Sequence, residues 1–299
     1  MKKVTVKIPA KVNLTLDVLG LTGKYHEIKS LVASINLYDA ITLYKREDHQ
    51  ITVRVTGIPV DCDPADNNAY KAAKLFCKKF SLEGVDIKIH KNIPVGGGLG
   101  GSSADIAGVL IALKNLYQID CDLLPIANEL GSDAGYMLYG GYAEMSGRGD
   151  KIERYDSRRT FYMLLIKEDS QISAKAAYKK FDQNGITYSP ATPEAKKALF
   201  DGNNVALFAC LKNDLQQAAA EILPDTSFNI AALKKAGAKA ALLAGSGPTT
   251  YAIFDDKKER DKVYKKLLPL YGKKLIRAET VLPTNYITQN VNLTVKRKK

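Results

Sequence analysis

The sequence predicts an α+β fold, arranged as two lobes or as one large unit. Three observations lead there. The chain has 299 residues, and domains of about 100–200 residues are usual. It opens on a run of short alternating segments with no helix between them, which reads as antiparallel strands and not as a βαβ repeat. After residues 154–159 the composition resets, which sets a boundary near residue 155 and lobes of 1–155 and 156–299.

Each element follows from its pattern. Residues 4–8 alternate as a strand. Residues 11–19 form a second strand, with Val12, Leu14, Leu16 and Val18 on one face. Residues 41–44 and 51–55 are short strands on either side of a charged turn at 45–50. Residues 66–80 read as a helix, with Asp66 or Asn67 at the cap and Tyr70, Ala73, Phe76, Cys77 and Phe80 near a 3.6 period. Residues 85–90 alternate as a strand. A glycine-rich loop follows, then a helix over 101–117 with Ile106, Val109, Leu110, Leu113 and Tyr117 on its apolar face. Residues 123–130 form a second helix ended by Gly131, and 136–153 read as a hairpin. Beyond the boundary come a strand at 160–166, a helix at 174–181 and a loop at 185–193. A glycine turn then falls within 242–254, and an amphipathic helix over 257–270.

Composition narrows the function classes. Hydrophobic residues make up 45% and charged residues 25%, which supports a folded core and excludes a disordered chain. The four cysteines, Cys62, Cys77, Cys121 and Cys210, show no CxxC spacing. That argues against a zinc site, a redox pair and a secreted disulfide framework. No apolar stretch is long enough for a membrane span or a signal peptide, so a reducing cytoplasm is expected. The net charge is +12, and residues 257–299 carry 13 Lys and Arg against 3 Asp and Glu. Without an accompanying aromatic and basic signature, this charge reads as a solvated helix face and a basic tail, Lys296-Arg297-Lys298-Lys299. Nucleic acid is not expected as a partner.

The segment Pro94-Val95-Gly96-Gly97-Gly98-Leu99-Gly100-Gly101-Ser102-Ser103-Ala104 carries the chemistry. So many glycines make a poor strand and a poor helix interior. Between a strand and a helix they let bare backbone N–H groups approach an anion, and the helix start adds free donors and a positive dipole end. Ser102 and Ser103 can donate to phosphate or help hold Mg²⁺. The alternative is a flexible turn. The loop lacks the Gly-Lys-Ser/Thr ending of a Walker A motif and does not match the dinucleotide fingerprint.

This loop resembles the P-x-G-x-G-L-G-S-S-A motif of the GHMP kinase superfamily. Pro9-Ala10-Lys11-Val12-Asn13-Leu14 resembles that family's first motif, and Leu243-Ala244-Gly245-Ser246-Gly247-Pro248-Thr249 its third. The three lie in the family's order and span most of the chain. Further stretches resemble the branch whose substrate is a cytidine-diphosphate-linked alcohol: Tyr25-His26-Glu27, Asp66-Asn67-Asn68, Gly131-Ser132-Asp133, Ser146-Gly147-Arg148-Gly149 and Lys212-Asn213-Asp214-Leu215. The chain departs from that pattern at Lys24, Ser102, Ala104, Ala134-Gly135 and Ala174.

The resemblance implies an N-terminal ribosomal-protein-S5-like lobe that binds ATP and a C-terminal ferredoxin-like lobe for substrate. It implies ATP and Mg²⁺ as cofactors, a small-molecule substrate, no resident protein-bound metal, and a monomer or weak homodimer. By resemblance Asp133 is the base that accepts a hydroxyl proton and Lys11 its cationic partner. Residues 94–104 and Asn67 would hold ATP. Asn13, Tyr25, His26, Tyr178, Gly245, Ser246 and Gly247 would hold substrate, with Tyr25 and Tyr178 around a flat base. Each assignment competes with a structural alternative. Asp133 is also a residue type favoured at helix starts and Lys11 one found on edge strands; Asn13 is also a satisfied strand amide and Asn67 a helix cap. His26 and Tyr178 compete with simple packing. Other alcohols, of the homoserine or mevalonate type, and a noncatalytic binding protein on the same scaffold remain alternatives.

Overall fold

The computed structural model describes residues 2–185, 189–282 and 287–292, with Lys2 and the last segment as backbone only. The first half runs β1 (Lys2–Asn13), β2 (Thr15–Thr22), β3 (Tyr25–Lys45), β4 (Ile51–Gly57), α1 (Asn68–Phe80), β5 (Val85–Lys91), α2 (Gly101–Tyr117), α3 (Leu124–Leu130), α4 (Ala134–Tyr139), β6 (Tyr142–Gly147) and β7 (Lys151–Tyr155). The second half runs β8 (Tyr162–Ile166), α5 (Ala174–Asn184), α6 (Thr192–Phe200), α7 (Asn204–Cys210), β9 (Lys212–Asn213), α8 (Gln216–Ile222), α9 (Asp225–Ala236), β10 (Ala240–Leu243), β11 (Thr250–Phe254), α10 (Lys257–Tyr271), β12 (Leu275–Glu279) and β13 (Ile287–Asn292).

The long strand β3 organises the first sheet. It pairs antiparallel with β1 along most of its length, with β6 at residues 28–33 and with β5 at residues 40–45. β4 extends this sheet in parallel beside β5, and β13 closes the other side of β1. The second sheet is fully antiparallel, in the order β10-β11-β8-β12. With α9 before β10 and α10 before β12, it is a βαββαβ unit of ferredoxin-like topology, as the resemblance implied.

Alternation on β1 buries Val4, Val6, Ile8, Ala10 and Val12, which are all between 0% and 1% exposed. α2 packs on this face, and Ala107, Val109, Leu110 and Leu113 are fully buried. The same core continues into Met163, Leu165, Tyr251 and Ile253 of the second sheet. A second cluster lies on that sheet's outer face, where Leu164, Ala252 and Phe254 meet Leu233 of α9 and Val263 of α10. Among the described residues no helix is long and apolar enough to cross a membrane. All four cysteines are free. The basic tail at 296–299 lies outside the described residues.

The structure corrects several elements. β1 is one strand through Pro9, not two. A register shift at Pro9/Ala10 and the end of β13 pairing at Val6 put the missing N–H where no ladder needs it. The break falls at Leu14 instead. β3 begins at Tyr25, far ahead of the expected 41–44. Its residues 30–35 are buried on both faces, which erases the alternation that marks a half-exposed strand. Residues 134–139 form α4, so the hairpin is confined to β6 and β7. α6 begins at Thr192, inside the expected loop, part of which (186–188) lies outside the described residues. Helices α6 to α9 escaped the pattern because short helices depend on tertiary contacts. The buried Asp17 carboxylate accepts the Ala191 and Thr192 N–H groups, each at 2.9 Å, and so starts α6 from a distant strand.

Candidate active site

β1 delivers the first two groups. Lys11 and Asn13 are two residues apart on one strand and share a face. Lys11 Nζ donates to Asn13 Oδ1 at 2.6 Å, and Asn13 Nδ2 donates to Ser30 Oγ at 2.7 Å. These bonds settle the amide's orientation and aim the lysine. At Lys11, β1 pairs with β3 on one side and the glycine loop covers the other; Lys11 is only 5% exposed, so it is no edge-strand charge facing solvent. Its Nζ lies 3.4 Å from Asp133 Oδ2.

Asp133 stands immediately before α4 and makes no side-chain capping bond. The helix thus presents the carboxylate without consuming it. Tyr178 comes close from α5. Burial, with the Asp133 charge adding to it, holds the Tyr178 hydroxyl well above the usual phenol range.

The glycine loop leads into α2. Gly96, Gly98 and Gly100 all have positive φ, at 64°, 77° and 75°. The Lys11 N–H donates to the Leu99 carbonyl at 3.0 Å, which ties the loop to β1. A Cβ on Gly98 would lie 1.9 Å from the Ala244 carbonyl oxygen. The second glycine turn is therefore the floor beneath the first. Asn213 holds that floor in place, donating to the Leu243 and Gly245 carbonyls at 2.9 and 2.7 Å.

These elements line one cleft of about 1510 Å³. Of the residues expected at the site, all but Ala104 and Gly247 line it. Ala104 is buried in the core, and Gly247 backs onto Leu243 under the turn. Asn67 is on the wall, yet its Oδ1 caps α1 by accepting the Ala69 N–H at 2.9 Å. Tyr25 is 57% exposed, with the Arg148 guanidinium 4.9 Å over its ring. His26 stacks on Tyr178, and not on Tyr25, with ring centroids 4.6 Å apart.

Sequence reasoning missed a buried charge cluster under the loop. Lys91 Nζ bonds Asp39 at 2.6 Å, Asp105 at 2.7 Å and the Gly101 carbonyl at 3.2 Å. It thereby anchors the first residue of α2. The signal was there: Lys91 sits just ahead of the loop and Asp105 just behind it. Burial, with nearby Asp39 adding to it and Lys91 opposing, pushes the Asp105 carboxyl up from 3.8 to about 7. A carboxyl raised on folding stabilises the fold below its unfolded pKa, and that contribution is lost as pH rises through the folded value. Stability to urea is therefore expected to fall between about pH 4 and pH 7. Asp105→Asn keeps an acceptor for Lys91 and should flatten that slope; an unchanged slope assigns it to other groups.

A glycine cradle at a helix start, a lysine–carboxylate pair beside it and two joined α/β units define a phosphoryl-transfer site of small-molecule-kinase type. The family profile described as GHMP kinases N terminal domain matches residues 67–143, and the one described as GHMP kinases C terminal matches residues 195–274. The 4-diphosphocytidyl-2-C-methyl-D-erythritol kinase of Cutibacterium acnes is 36% identical over 274 residues, covering 87% of this chain and 88% of that one. The enzyme of the same name from Clostridium tetani is 34% identical over 273 residues, covering 89% and 96%. A crystal structure of 4-(cytidine 5'-diphospho)-2C-methyl-D-erythritol kinase superimposes with a TM-score of 0.77 at 24% identity, over 94% of this chain and 100% of that one. Homoserine kinase from Cytophaga hutchinsonii shares the fold, with a TM-score of 0.75 at 17% identity over 97% of each chain. The chain belongs to the GHMP kinases and, among them, to the family of 4-diphosphocytidyl-2-C-methyl-D-erythritol kinases.

Proposed function

We propose that this protein transfers the γ-phosphoryl group of ATP to the 2-hydroxyl of 4-diphosphocytidyl-2-C-methyl-D-erythritol, a step of non-mevalonate isoprenoid precursor synthesis. The observation that carries the reading is the Lys11–Asp133 pair, 3.4 Å apart in the cleft that also holds the glycine loop and the Tyr25, His26 and Tyr178 rings. Asp133 accepts the proton of the attacking hydroxyl. Lys11, fixed by Asn13, offsets the charge that develops between nucleophile and phosphoryl group. The backbone N–H groups at the start of α2 hold the phosphates of ATP. Asn67 and the loop residues 94–103 form the nucleotide side, with Ala104 packed in the core behind them. Asn13, the three rings, Gly245 and Ser246 form the substrate side, with Gly247 supporting the turn from behind.

The donor set fits Mg²⁺ arriving on ATP. Among the described residues there is no group of three or more His, Cys, Asp or Glu that could hold a metal alone. Ser102 and Ser103 offer hydroxyl oxygens on the cleft wall, which suits a cation shared with phosphates. When bound, the ion neutralises phosphate charge. The lobes are read as 1–155 for ATP and 156–299 for substrate, with β13 returning to the first sheet. A monomer or weak homodimer is the assembly this reading expects, and four free cysteines suit the cytoplasm.

A coupled ADP-release assay across a panel of alcohols tests the reading. Turnover of the cytidyl substrate, with homoserine and mevalonate inert, is the expected result. Turnover of either small alcohol with none of the cytidyl substrate sinks it, and no turnover of any alcohol favours a binding protein.

A further inference from the structure

α5 turns two side chains toward one place. Tyr178 and Asp182 are four residues apart and share a helix face. Both line the cleft. His26, at the start of β3, meets both of them. Its ring stacks on Tyr178 with planes 23° from parallel, and its Nε2 lies 2.7 Å from Asp182 Oδ1. The imidazole is thus held by one face and by one nitrogen.

We infer that Asp182 is a positioning residue for base recognition, fixing the His26 ring so that Nδ1 is the nitrogen left to address the substrate's pyrimidine. The inference rests on the cytidyl reading above. A carboxylate only accepts hydrogen bonds, so Nε2 must carry the hydrogen. To flip, or to exchange the roles of its nitrogens, the ring must break this bond, whose Asp182 end is 40% exposed. Cytosine and uracil have nearly the same outline, but their edges are reversed at positions 3 and 4. Cytosine offers a ring lone pair and an amino group where uracil offers N–H and a carbonyl oxygen. One fixed nitrogen tells these patterns apart, whereas a ring free to turn adapts to either. The expected stacking partner Tyr25 is largely exposed and packs with Arg148, so the side chains that hold one another in the base pocket are His26, Tyr178 and Asp182.

Asp182→Ala and Asp182→Glu, compared with wild type on the cytidyl substrate and its uridyl analogue, test this. Asp182→Ala should raise the KM for the cytidyl substrate roughly 10-fold, the scale of one hydrogen bond to a charged group. kcat should stay within about 2-fold and the KM for ATP should not move. The cytidyl-over-uridyl preference in kcat/KM should fall by a similar factor, and Asp182→Glu should restore part of it. Nitrogen NMR of histidine-labelled protein supplies a readout independent of turnover. His26 should hold its hydrogen on Nε2 in wild type and average between tautomers in Asp182→Ala. An unchanged preference overturns the inference, as does a His26 signal that is the same in both proteins. Failure of wild type to turn over the cytidyl substrate is a distinct result: it removes the parent reading and the specificity claim with it. The NMR comparison then still decides whether Asp182 fixes the ring.

Discussion

Asp133→Asn should lower kcat by roughly 10²–10⁴-fold while the protein stays folded and still binds ATP. The size follows from what an amide cannot do: it accepts no proton from the attacking hydroxyl at neutral pH. The selectivity follows from geometry. Asp133 makes no capping bond to α4, so the helix does not depend on its charge. Its contact is Lys11, to which an amide oxygen can still offer an acceptor. The change should therefore appear in kcat and spare ATP affinity, read by single-turnover kinetics and by calorimetric titration with a nonhydrolysable ATP analogue. Near-normal turnover would remove Asp133 from its role as base. A loss of ATP affinity equal to the loss in kcat would make it a nucleotide-holding residue instead.

Gly98→Ala should be strongly damaging for so small a change. Two independent effects add. The residue holds φ at 77°, where a side chain costs about 1 kcal/mol or more, and the new methyl would meet the Ala244 carbonyl at 1.9 Å. The loop and the turn beneath it would have to separate. A loss of about 3 kcal/mol in urea unfolding is expected, together with a KM for ATP raised at least about 10-fold. Gly23→Ala is the control, because it has the same kind of φ, 66°, but nothing within 4 Å of its Cβ. It should show the backbone cost alone. Equal effects from the two changes would mean that the contact with Ala244 contributes nothing.

Much of the candidate site was legible because its parts are local. A glycine run between an alternating strand and an amphipathic helix announces an anion site within a dozen residues. Lys11 and Asn13 sit on one strand, two residues apart, and one short motif carries both. The helix over 101–117 was readable for the same reason, and α2 covers those residues. β3 was not readable, because packing on both faces of its centre removes the alternation. α6 was not readable, because Asp17, remote in the chain, holds its start.

The amino-acid sequence by itself determined the kind of protein: an α+β chain with a backbone anion cradle, a lysine on a strand and an aspartate after a glycine. These are properties of neighbouring residues, set by glycine's freedom at positive φ and by the 2.0 and 3.6 periodicities. Only the tertiary structure decided that Lys11 faces Asp133, that Lys91 is shared between Asp39 and Asp105, and that Asp182 holds His26 from 156 positions away. Charges in a sequence are usually solvated, and nothing in their spacing says which ones will be paired. Burial decides that, because a charge removed from water must find its partner wherever the fold brings one.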